Sequence, residues 1–403
     1  MRHFPRMTAP MTICHLTSVH TPFDMRIFFK ECRSLADAGH TVHLVAGHSV
    51  DEIRDGVRIH AVKRGPNRAV RMIFTTCRVY REACGINADL YHFHDPELIP
   101  AALLLKLLGK RVVYDIHEDY SSWLTFNEAI PSPLRKLAAW AFLLLERFAA
   151  RKFDALVTVT PSIAGRFAPL NRRTVMVRNF PLAEEFAAVD TDAVPWDSRE
   201  NAVCYIGGVF PKRGILEMIR AVGIASRRLP VRLLIGGELS PGACEIVSAL
   251  NPEEASRVEF LGYVSRPRIA AVFRRSKIGL LILHPERNFL VSYPTKLFEY
   301  MSAGLPVVCS DFPLFRELDK GVGCCRFVNP LDPQAIAEAI LDLLTHPAEA
   351  EAMGRQGRQA VRERYSWESE ARALLSLYED ILHPGSPTCG EHTLGCLPHI
   401  PPS

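Results

Sequence analysis

The sequence has little excess charge and no long apolar run. Its formal net charge is only +4 over 403 residues, so no strongly basic surface is indicated, and nucleic acid is not an expected partner. The longest apolar run, Leu137 to Leu145, is far shorter than the roughly 20 residues that span a bilayer. No apolar segment with a small-residue cleavage site follows the basic first residues, so we expect no secretory signal. These absences predict a cytoplasmic protein, either soluble or held peripherally at the inner face of the cell membrane.

The sequence also lacks cysteine motifs of the Cys-x-x-Cys kind. The chain has 11 cysteines, an odd number, and no Cys-x-x-Cys pair of the kind that binds metals or performs redox chemistry. Scattered cysteines are typical of a reducing compartment, where they serve as small core residues. The hydrophobic fraction of 48% and the charged fraction of 23% are ordinary for a globular chain, and the length suits two domains.

Short apolar runs alternate with helical patterns along nearly the whole chain. Most of these runs are continuous, as expected for strands covered by helices on both faces. Helical patterns such as 26–38 and 215–228 lie between them, which predicts an α/β fold with two doubly wound, Rossmann-like parallel sheets. The candidate strands are Thr12–Leu16, Thr41–Ala46, Asp89–Phe93, Arg111–Asp115, Ala155–Val159, Ala202–Ile206, Val231–Ile235, Val258–Leu261, Ile278–Leu283 and Pro306–Cys309.

The alternation breaks once, at the acidic and polar segment 186–201, which shows no period and is interpreted as a linker. Ligands of doubly wound sheets bind at the carboxyl ends of the strands, so we expect a ligand held by both domains to lie in the cleft between them. The predicted organisation is an N-terminal extension (1–10), a first domain (11–185), the linker (186–201), a second domain (202–365), a C-terminal helix returning to the first domain (366–382) and a disordered tail (383–403).

The stretch 292–308 is the most informative part of the C-terminal half. Pro294 suits the first turn of a helix, and Gly304 suits its end. Because the helix follows a predicted strand, its free N–H groups and positive dipole end would meet an anion such as a diphosphate. Lys296 and Glu299 share one helix face, where lysine suits phosphate and a carboxylate can accept hydrogen bonds from ribose hydroxyls. A solvated ion pair is the alternative, and the position of the helix favours a nucleotide.

A second stretch, 205–214, follows the first predicted strand of the same domain. Gly207 and Gly208 let the backbone approach a ligand closely, and Lys212 or Arg213 can balance the charge of that ligand. A tight turn carrying solvated basic residues is the alternative.

Histidines and carboxylates cluster near strand ends in the N-terminal half. His92 and His94 close one predicted strand, and His117 closes the next, followed by Glu118 and Asp119. A His-x-His pair can bind a metal ion when the intervening residue is extended, because both rings then lie on one side of the strand. A metal-dependent hydrolase that uses the His92/His94 region therefore stays open as an alternative, as does a set of hydrogen-bonded structural histidines.

Taken together, these stretches resemble the retaining glycosyltransferases of family 4, the group 1 glycosyl transferases with the GT-B fold. The resemblance runs from about Ile13 to Leu382 and depends on the order and spacing of several motifs. The motifs are His15–His20, Phe23–Arg26, His92–Leu98, Tyr114–Asp119, Val177–Asn179, Tyr205–Gly208, Lys296–Val308 and Tyr365–Trp367.

The resemblance implies a role for each matching residue. Arg213 takes the place of the family's phosphate-binding lysine, Lys296 is expected on the same diphosphate, and Glu299 matches the glutamate that holds the ribose. His117 matches a histidine near the donor sugar, so the expected catalytic set is His117, Arg213 and Lys296. The nucleotide-sugar site is expected to contain Gly207, Gly208, Arg213, Ser292, Lys296 and Glu299. The acceptor side and its mobile first loop are expected to contain Asp24, Arg26 and His94.

The chain departs from the family's pattern at two positions. The family signature has two glutamates separated by seven residues, and Val291 stands at the first of these positions. Nearby Glu286 is out of register, so the sugar hydroxyls must be held by the backbone or by other residues. Gly208 stands where the family has a phosphate-binding arginine, which leaves Arg213 and Lys296 as the main cations.

The segment 134–152 is apolar nearly all round for about three turns and has basic residues at both ends. Such a helix either packs in the core or lies at a membrane interface. Because the resembling family often acts on lipid-linked acceptors, peripheral membrane contact through 134–152 stays open beside core packing.

The implied function is transfer of a sugar from a UDP- or GDP-linked donor to a hydroxyl of a glycan or lipid-linked acceptor, in cell-surface polysaccharide or glycolipid synthesis. We expect no cofactor and no metal ion in the reaction, because the Asp-x-Asp sequence at Asp190 and Asp192 lies in the linker. A sugar-nucleotide epimerase on the same fold would act without an acceptor and is an alternative. A binding module without turnover is another, which Val291 favours.

Overall fold

The structure is a computed structural model that describes residues 10–67, 70–117, 120, 124, 131–182 and 194–383. The chain divides into two compact units. Unit 1 comprises the chain up to Asn179 together with the segment from Ser369, and unit 2 comprises Phe180–Glu368. None of the helices within the described ranges combines the length and the apolar character that a bilayer span requires.

Unit 1 is built on an eight-stranded sheet. Its strands are β1 (Thr12–Leu16), β2 (Thr41–Gly47), β3 (Glu52–Arg54), β4 (Val57–Val62), β5 (Leu90–Phe93), β6 (Arg111–Ile116), β7 (Ala155–Thr158) and β8 (Thr174–Met176). The strand order is β3-β4-β2-β1-β5-β6-β7-β8. All pairings are parallel except that of β3 with β4, which form an antiparallel hairpin at one edge.

Two helices of unit 1 begin with a π-helical turn. In the first, the N–H groups of Phe29 and Glu31 reach back five residues, to the carbonyl oxygens of Asp24 and Arg26. Such turns often occur at functional sites. The helical segments of this part of the chain are the π-turn Ile27–Cys32 with α1 (Arg33–Asp37), the π-turn Arg71–Thr75 with α2 (Thr76–Ile86), α3 (Ile99–Leu107), α4 (Ser132–Ala150) and α5 (Pro161–Phe167).

Unit 2 is built on a six-stranded sheet in which every pairing is parallel. Its strands are β9 (Ala202–Ile206), β10 (Arg232–Gly236), β11 (Val258–Phe260), β12 (Ile278–Leu281), β13 (Val307–Ser310) and β14 (Cys325–Val328), in the order β11-β10-β9-β12-β13-β14. Its helices are α6 (Ile215–Ala225), α7 (Pro241–Ser248), α8 (Pro252–Ser256), α9 (Arg266–Arg275), α10 (Arg287–Leu290), α11 (Thr295–Ala303), α12 (Pro313–Asp319), α13 (Pro333–Thr345) and α14 (Pro347–Glu363). The last helix of the chain is α15 (Trp367–Leu382).

The continuous apolar strands have helices on both faces. Along β9, Cys204 and Ile206 point into one buried cluster, and Val203 and Tyr205 point into a second cluster on the opposite face. Both faces are therefore apolar, as expected for a parallel sheet covered on two sides. The prediction of two α/β domains with parallel sheets is confirmed.

The strand bounds agree with the sequence most closely where both faces are buried. The predicted and observed ranges coincide for β1 and β9, and they differ by one or two residues at one or both ends of the other predicted strands. Four strands were not predicted from the sequence, namely β3, β4, β8 and β14. Three of these four stand at the edges of the two sheets, where solvent exposure interrupts the apolar pattern.

The boundary between the units lies between Asn179 and Phe180, before the segment 186–201 that was interpreted as a linker. The part of that segment which the structure describes begins at Val194 and contains a short turn of 3-10 helix, Trp196–Ser198. The chain from Ser369 belongs to unit 1. Residues 1–9, 186–193 and 384–403, which include most of the predicted extension and tail, lie outside the described residues.

Candidate functional site

In unit 2 the strand order places β9 between β10 and β12. The chain passes from β9 to β10 on one side and later returns to β12 on the other, so the loops that follow β9 and β12 diverge. Such a switch point leaves a crevice at the carboxyl ends of the strands, where ligands of doubly wound sheets bind. The stretch 207–214 follows β9 and the stretch 282–294 follows β12, so both predicted motifs lie at this point.

Gly207 is the centre of the first motif. Its backbone has φ +152°, and a Cβ atom built on it would lie 3.3 Å from Lys296 Cε and 3.7 Å from Arg213 Nη1. Arg213 Nη1 donates a hydrogen bond to the carbonyl oxygen of Gly208 at 3.2 Å. The structure therefore brings Gly207, Gly208, Arg213 and Lys296 together, and the absence of side chains at the two glycines leaves the space between the cations open.

The loop after β9 is held against the end of β12. Gly214, which precedes α6, has φ +69°, and a Cβ atom at this position would lie 2.3 Å from the carbonyl oxygen of Ile282. The N–H group of His284 donates to the carbonyl oxygen of Lys212 at 3.0 Å. A side chain at position 214 would force these two segments apart, so the glycine allows the contact that positions Arg213.

Tyr300 packs helix α11 against the strands β9 and β12. The Tyr300 hydroxyl lies 3.3 Å from the carbonyl oxygen of Cys204 and 3.2 Å from that of Leu280. A Cβ atom at Gly279 would lie only 2.5 Å from the Tyr300 ring, so the strand needs glycine where the ring packs. This packing directs the first turn of α11 toward the loop after β9.

Helix α11 carries Lys296 in its first turn and Glu299 at the start of its second turn. Among the described residues, no side chain caps the helix at Pro294, so the first N–H groups are available to an anion. Glu299 is buried and accepts hydrogen bonds from Lys296 Nζ at 2.7 Å and from Arg266 Nη1 at 3.3 Å. The arrangement offers two cations for a diphosphate and a preoriented carboxylate beside them.

Two other predicted positions stand apart from this group. Ser292 is exposed, and among the described residues no hydrogen bond joins its side chain to Lys296 or Glu299. Val291 ends the short helix α10 and is 40% exposed. Glu286 pairs instead with Lys212, at 2.9 Å between Oε1 and Nζ.

In unit 1 the corresponding switch point lies between β1 and β5. The loop after β1 is fastened to the end of β5 by Asp95, which accepts hydrogen bonds from the Thr17 hydroxyl at 2.7 Å and from the Ser18 N–H at 2.6 Å. His94 and His117 follow β5 and β6 at the same edge of the sheet. The predicted residues of unit 1 therefore lie around one end of three neighbouring strands.

His94 belongs to a buried chain of hydrogen bonds. Its Nε2 lies 2.9 Å from His15 Nδ1, and its Nδ1 lies 3.1 Å from Asp115 Oδ2. The Nε and Nη2 atoms of Arg26 donate to the two carboxylate oxygens of Asp115 at 2.7 and 3.1 Å. Arg26 is thus buried in a bidentate ion pair, and its third donor, Nη1, reaches the carbonyl oxygen of Val177 at 3.0 Å.

Asp24 lies just before the π-turn Ile27–Cys32, whose N-cap residue is Arg26. Its Oδ1 accepts hydrogen bonds from the N–H groups of Arg26 at 2.8 Å and Ile27 at 3.0 Å, and its Oδ2 lies 3.5 Å from His20 Nδ1. Burial would raise the pKa of Asp24, but the hydrogen bonds from His20, Ile27 and Arg26 lower it well below its usual range. The carboxylate is therefore charged and orients the buried guanidinium.

His117 is the predicted catalytic histidine, and its side chain is 17% exposed. Its Nδ1 lies 3.8 Å from Asp115 Oδ1, and its ring lies 5.3 Å from that of His20. Burial lowers the pKa of His117, although Asp115 opposes this shift. The ring is therefore neutral at physiological pH. Glu118 and Asp119, which follow it, lie outside the described residues.

His92 lies beside His94 on the same face of the sheet, because Phe93 between them is extended within β5. Burial lowers the pKa of His92 well below its usual range. All atoms of the His92 and His94 side chains are buried, so a substrate has no access to them. This burial argues against the hydrolase alternative.

Models of two glycosyltransferase families match the chain. "Glycosyl transferase 4-like domain" matches residues 29–182 in unit 1, and "Glycosyl transferases group 1" matches residues 200–346 in unit 2. The two matches follow one another along the chain and together cover every strand of the two sheets except β1. The chain belongs to the group 1, family 4 glycosyltransferases. It is therefore a transferase, and the hydrolase alternative is wrong.

Curated relatives of this glycosyltransferase include enzymes with different acceptors. Glycogen synthase of Mycobacterium tuberculosis is 23% identical over 390 residues, which cover 86% of this chain and 88% of the relative. The phosphatidyl-myo-inositol mannosyltransferase of the same organism is 29% identical over 308 residues, which cover 74% of this chain and 75% of the relative.

Solved structures share the fold. Sucrose-phosphate synthase of Thermosynechococcus elongatus has a TM-score of 0.69 at 17% identity, covering 92% of this chain and 99% of that one. Anabaena HepE in complex with UDP and glucose has a TM-score of 0.67 at 14% identity, covering 92% of this chain and 100% of that one. At these identities the likeness establishes the GT-B fold alone.

Three residues at these sites were missed from the sequence. Arg266 contacts Glu299 from α9, 33 residues away along the chain, and no local pattern joins them. The predicted helix included Tyr300, but no role was assigned to this residue. Glu31 lies among buried apolar residues of its helix, and this unusual position of a charge on an apolar face was a signal that could have found it.

Proposed function

We propose that this group 1 glycosyltransferase transfers a sugar from a UDP- or GDP-linked donor to a hydroxyl of a glycan or lipid-linked acceptor, with retention of the anomeric configuration. The observation that carries the proposal is the convergence of Arg213 and Lys296 on Gly207, at the uncapped start of α11. Two cations and a helix N-terminus are suited to a diphosphate. The neighbouring carboxylate of Glu299 is suited to the ribose hydroxyls.

The proposed reaction depends mainly on stabilising the leaving group. The bond between the anomeric carbon and the diphosphate breaks, and the acceptor oxygen bonds to that carbon from the same face. The proton of the acceptor passes to the departing diphosphate oxygen. Arg213 and Lys296 neutralise the charge that grows on the diphosphate, so no metal ion is required there. No carboxylate nucleophile is needed for this route.

In this proposal, unit 1 contributes the acceptor side. His117 is a partly exposed histidine that follows β6, and as a neutral ring it can accept a hydrogen bond from a sugar hydroxyl. Arg26 and His94 are buried around Asp115, so we assign them to the positioning of His117 through that carboxylate. Asp24 orients Arg26 and completes the set.

The donor can be identified with a panel of nucleotide sugars, first by thermal shift and then by turnover with and without an acceptor. The proposal expects one UDP- or GDP-sugar to raise the melting temperature, and release of nucleoside diphosphate to depend on an added glycan or lipid-linked acceptor. Conversion of the donor sugar without any acceptor would instead identify an epimerase. Anomeric retention is read from the product by NMR.

Replacement of Glu299 by alanine should weaken binding of the nucleoside diphosphate by about 1–3 kcal/mol, the value of charge-assisted hydrogen bonds. The change can be measured by isothermal titration calorimetry. Glu338→Ala is a matched control, since this exposed glutamate pairs with Arg228 elsewhere on unit 2. Equal affinities of the two variants would remove Glu299 from the nucleotide site.

We also propose that α4 rests on an anionic membrane surface. The helix turns its only carboxylate, Glu146, inward, where Oε1 accepts a hydrogen bond from the Tyr114 hydroxyl at 3.1 Å. The outward side carries large apolar side chains, including Trp140 at 59% exposed. These exposed side chains are Leu134, Leu137, Trp140, Leu144, Leu145 and Phe148.

Charge complementarity supports a lipid surface as the occupant. Basic side chains stand at both ends of the apolar face, and they are Arg135, Lys136, Arg147, Arg151 and Lys152. A surface with apolar side chains flanked by Lys and Arg is the pattern of helices that lie in the headgroup region of anionic bilayers. A lipid-linked acceptor would be delivered on the same surface.

Replacement of Leu137 and Trp140 together by glutamate should reduce binding to phosphatidylglycerol-containing vesicles more than tenfold, because each apolar side chain contributes about 1.5–3 kcal/mol when buried. Vesicle cosedimentation measures the effect. Tyr263→Glu is the control, since Tyr263 is 76% exposed on unit 2. Binding that is equal for the wild type and the double variant, or equal on purely zwitterionic vesicles, would contradict the membrane proposal.

A further inference from the structure

The face of the unit 1 sheet opposite α3 carries a buried cluster of four side chains, of which the proposed reaction uses only His94, as a residue that positions Asp115. Its members are His15 on β1, His92 on β5, His94 after β5, and Glu31 in the π-turn, and none of their side chains is exposed. His15 and His92 are paired neighbours in the sheet. Parallel pairing and the two-residue repeat of β5 therefore bring three imidazoles to one place.

The donor atoms of the cluster converge. His15 Nδ1 lies 2.9 Å from His94 Nε2, and each of these atoms lies 3.7 Å from Glu31 Oε2. His92 Nδ1 lies 3.9 Å from the same oxygen. Donor atoms that bind zinc at about 2.0–2.1 Å in a tetrahedron stand about 3.3 Å apart. One ligand atom from each of the four side chains lies within 4.8 Å of the other three, so movements of the side chains could bring all four onto one ion.

The buried carboxylate of Glu31 is independent evidence for a cation at this point. The Glu31 side chain is completely buried, and among the residues that the structure describes neither of its carboxylate oxygens has a hydrogen-bond partner. Arg26 Nε lies 3.1 Å from Oε1 but directs its hydrogen bond to Asp115. The other oxygen, Oε2, is directed toward the three histidines. Arg26 therefore balances the charge at Oε1, whereas Oε2 faces imidazole nitrogens, and a buried carboxylate oxygen without a donor is unfavourable.

The surroundings of the histidines suit metal binding. A metal-bound histidine usually donates its second ring N–H to a carboxylate or another oxygen. His94 has this partner in Asp115, at 3.1 Å from Nδ1, and His15 Nε2 lies 3.5 Å from the Tyr378 hydroxyl. The same hydroxyl lies 2.5 Å from His92 Nδ1, so His92 would exchange this contact for the ion. Within the described residues, the second ring nitrogen of His92, Nε2, has no such partner.

We propose that His15, Glu31, His92 and His94 bind one divalent transition metal ion, with zinc as the best match to three imidazoles and a carboxylate. A closed set of four protein ligands is typical of a structural site. The ion would fasten the first helix to β1 and β5, and it would hold His94 against Asp115. It takes no part in the transfer of the sugar, because no substrate reaches the buried ligands.

The metal content of the full-length protein tests the proposal. The chain is purified without a histidine tag or chelators, incubated with zinc chloride and desalted, and its zinc is measured by inductively coupled plasma mass spectrometry. We expect about one zinc ion per chain, released only when the protein is unfolded in guanidinium with a chromophoric chelator. Less than about 0.1 zinc ion per chain in a cooperatively folded wild type would overturn the proposal.

A matched pair of variants locates the ion. Glu31→Gln should lose at least nine-tenths of the zinc, because an amide is a poor ligand for this ion. Glu82→Gln should keep it, since Glu82 accepts from His60 in a separate histidine pair with His43. Equal zinc contents in the two variants would overturn the assignment. If Glu31→Gln does not fold, the measurement on the wild type still decides whether the site exists.

Discussion

Replacement of Arg213 or Lys296 by alanine should lower the turnover rate about 100-fold at saturating donor, the usual cost of losing one preorganised charge donor at a developing anion. Binding of the nucleoside diphosphate should change much less. The reason is that charge on the diphosphate increases as the glycosidic bond breaks, so the two cations interact most strongly with the transition state. Both side chains converge on Gly207, where this charge is proposed to lie.

The measurement compares the turnover number and the dissociation constant of each variant with those of Arg228→Ala. Arg228 is an exposed cation of unit 2 that pairs with Glu338, so its loss should leave both quantities near the wild-type values. Near-normal turnover of both Arg213→Ala and Lys296→Ala, with the donor still bound, would mean that the diphosphate lies elsewhere.

Lys296 needs one additional comparison because it also contacts Glu299, at 2.7 Å from Nζ to Oε2. Its removal leaves that carboxylate paired with Arg266, and the ribose contact could be disturbed. Disturbed ribose binding would raise the dissociation constant, as in Glu299→Ala, whereas a lost charge on the diphosphate would lower mainly the turnover number. A change mainly in the dissociation constant therefore indicates disturbed ribose binding, and a change mainly in the turnover number indicates a lost charge at the diphosphate. Arg213→Ala lacks this complication.

The parts of the fold that the sequence predicts well are those that local physics decides. A strand covered on both faces must be apolar at every position, so β1 and β9 stand out as continuous runs. The hairpin of β3 and β4 was missed because its outer strand, Glu52–Arg54, is polar and largely exposed. Pairing with β2 stabilises β4, and this contact between distant segments leaves no strong local pattern.

The same reasoning explains what could be predicted of the sites. Gly207, Gly208, Arg213 and Lys296 lie in loops and a helix start that directly follow strands, and the strands of a parallel sheet end at one edge. Their proximity therefore follows from the strand assignments. The Glu299–Arg266 contact depends instead on how α9 packs beside α11, which no spacing in the sequence specifies.

The buried cluster of unit 1 was predicted only in part. The pair His92 and His94 was expected on one face if Phe93 is extended, and the structure has this arrangement. His15 joins this pair through the pairing of β1 with β5. Glu31 joins it because the π-turn rotates the buried face of the helix by one residue. A helical pattern over 26–38 does not reveal that rotation.

Replacement of Arg26 by alanine should destabilise unit 1 by about 3–5 kcal/mol, the cost of removing one partner of a buried ion pair. Arg26 makes a bidentate contact with Asp115 and is 6% exposed. Burial would raise the pKa of Asp115, but Arg26 and the hydrogen bond from His94 hold it well below its usual range. Without the guanidinium, the carboxylate would be left charged and buried, or it would have to take up a proton.

Hydrogen exchange of the β1 and β5 amides measures this effect, because the two units need not unfold in a single step and local opening reports unit 1 directly. Arg33→Ala is the matched control from the same helical segment. Arg33 lies 3.5 Å from Asp55, and both side chains are about a third or more exposed, so its loss should cost less than about 1 kcal/mol. Arg26→Lys keeps the charge but not the bidentate geometry, so its destabilisation of unit 1 should lie between those of Arg26→Ala and Arg33→Ala. If Arg26→Ala destabilises unit 1 no more than Arg33→Ala, then Asp115 does not depend on the guanidinium, and the assignment of Arg26 as the residue that positions Asp115 and His117 fails.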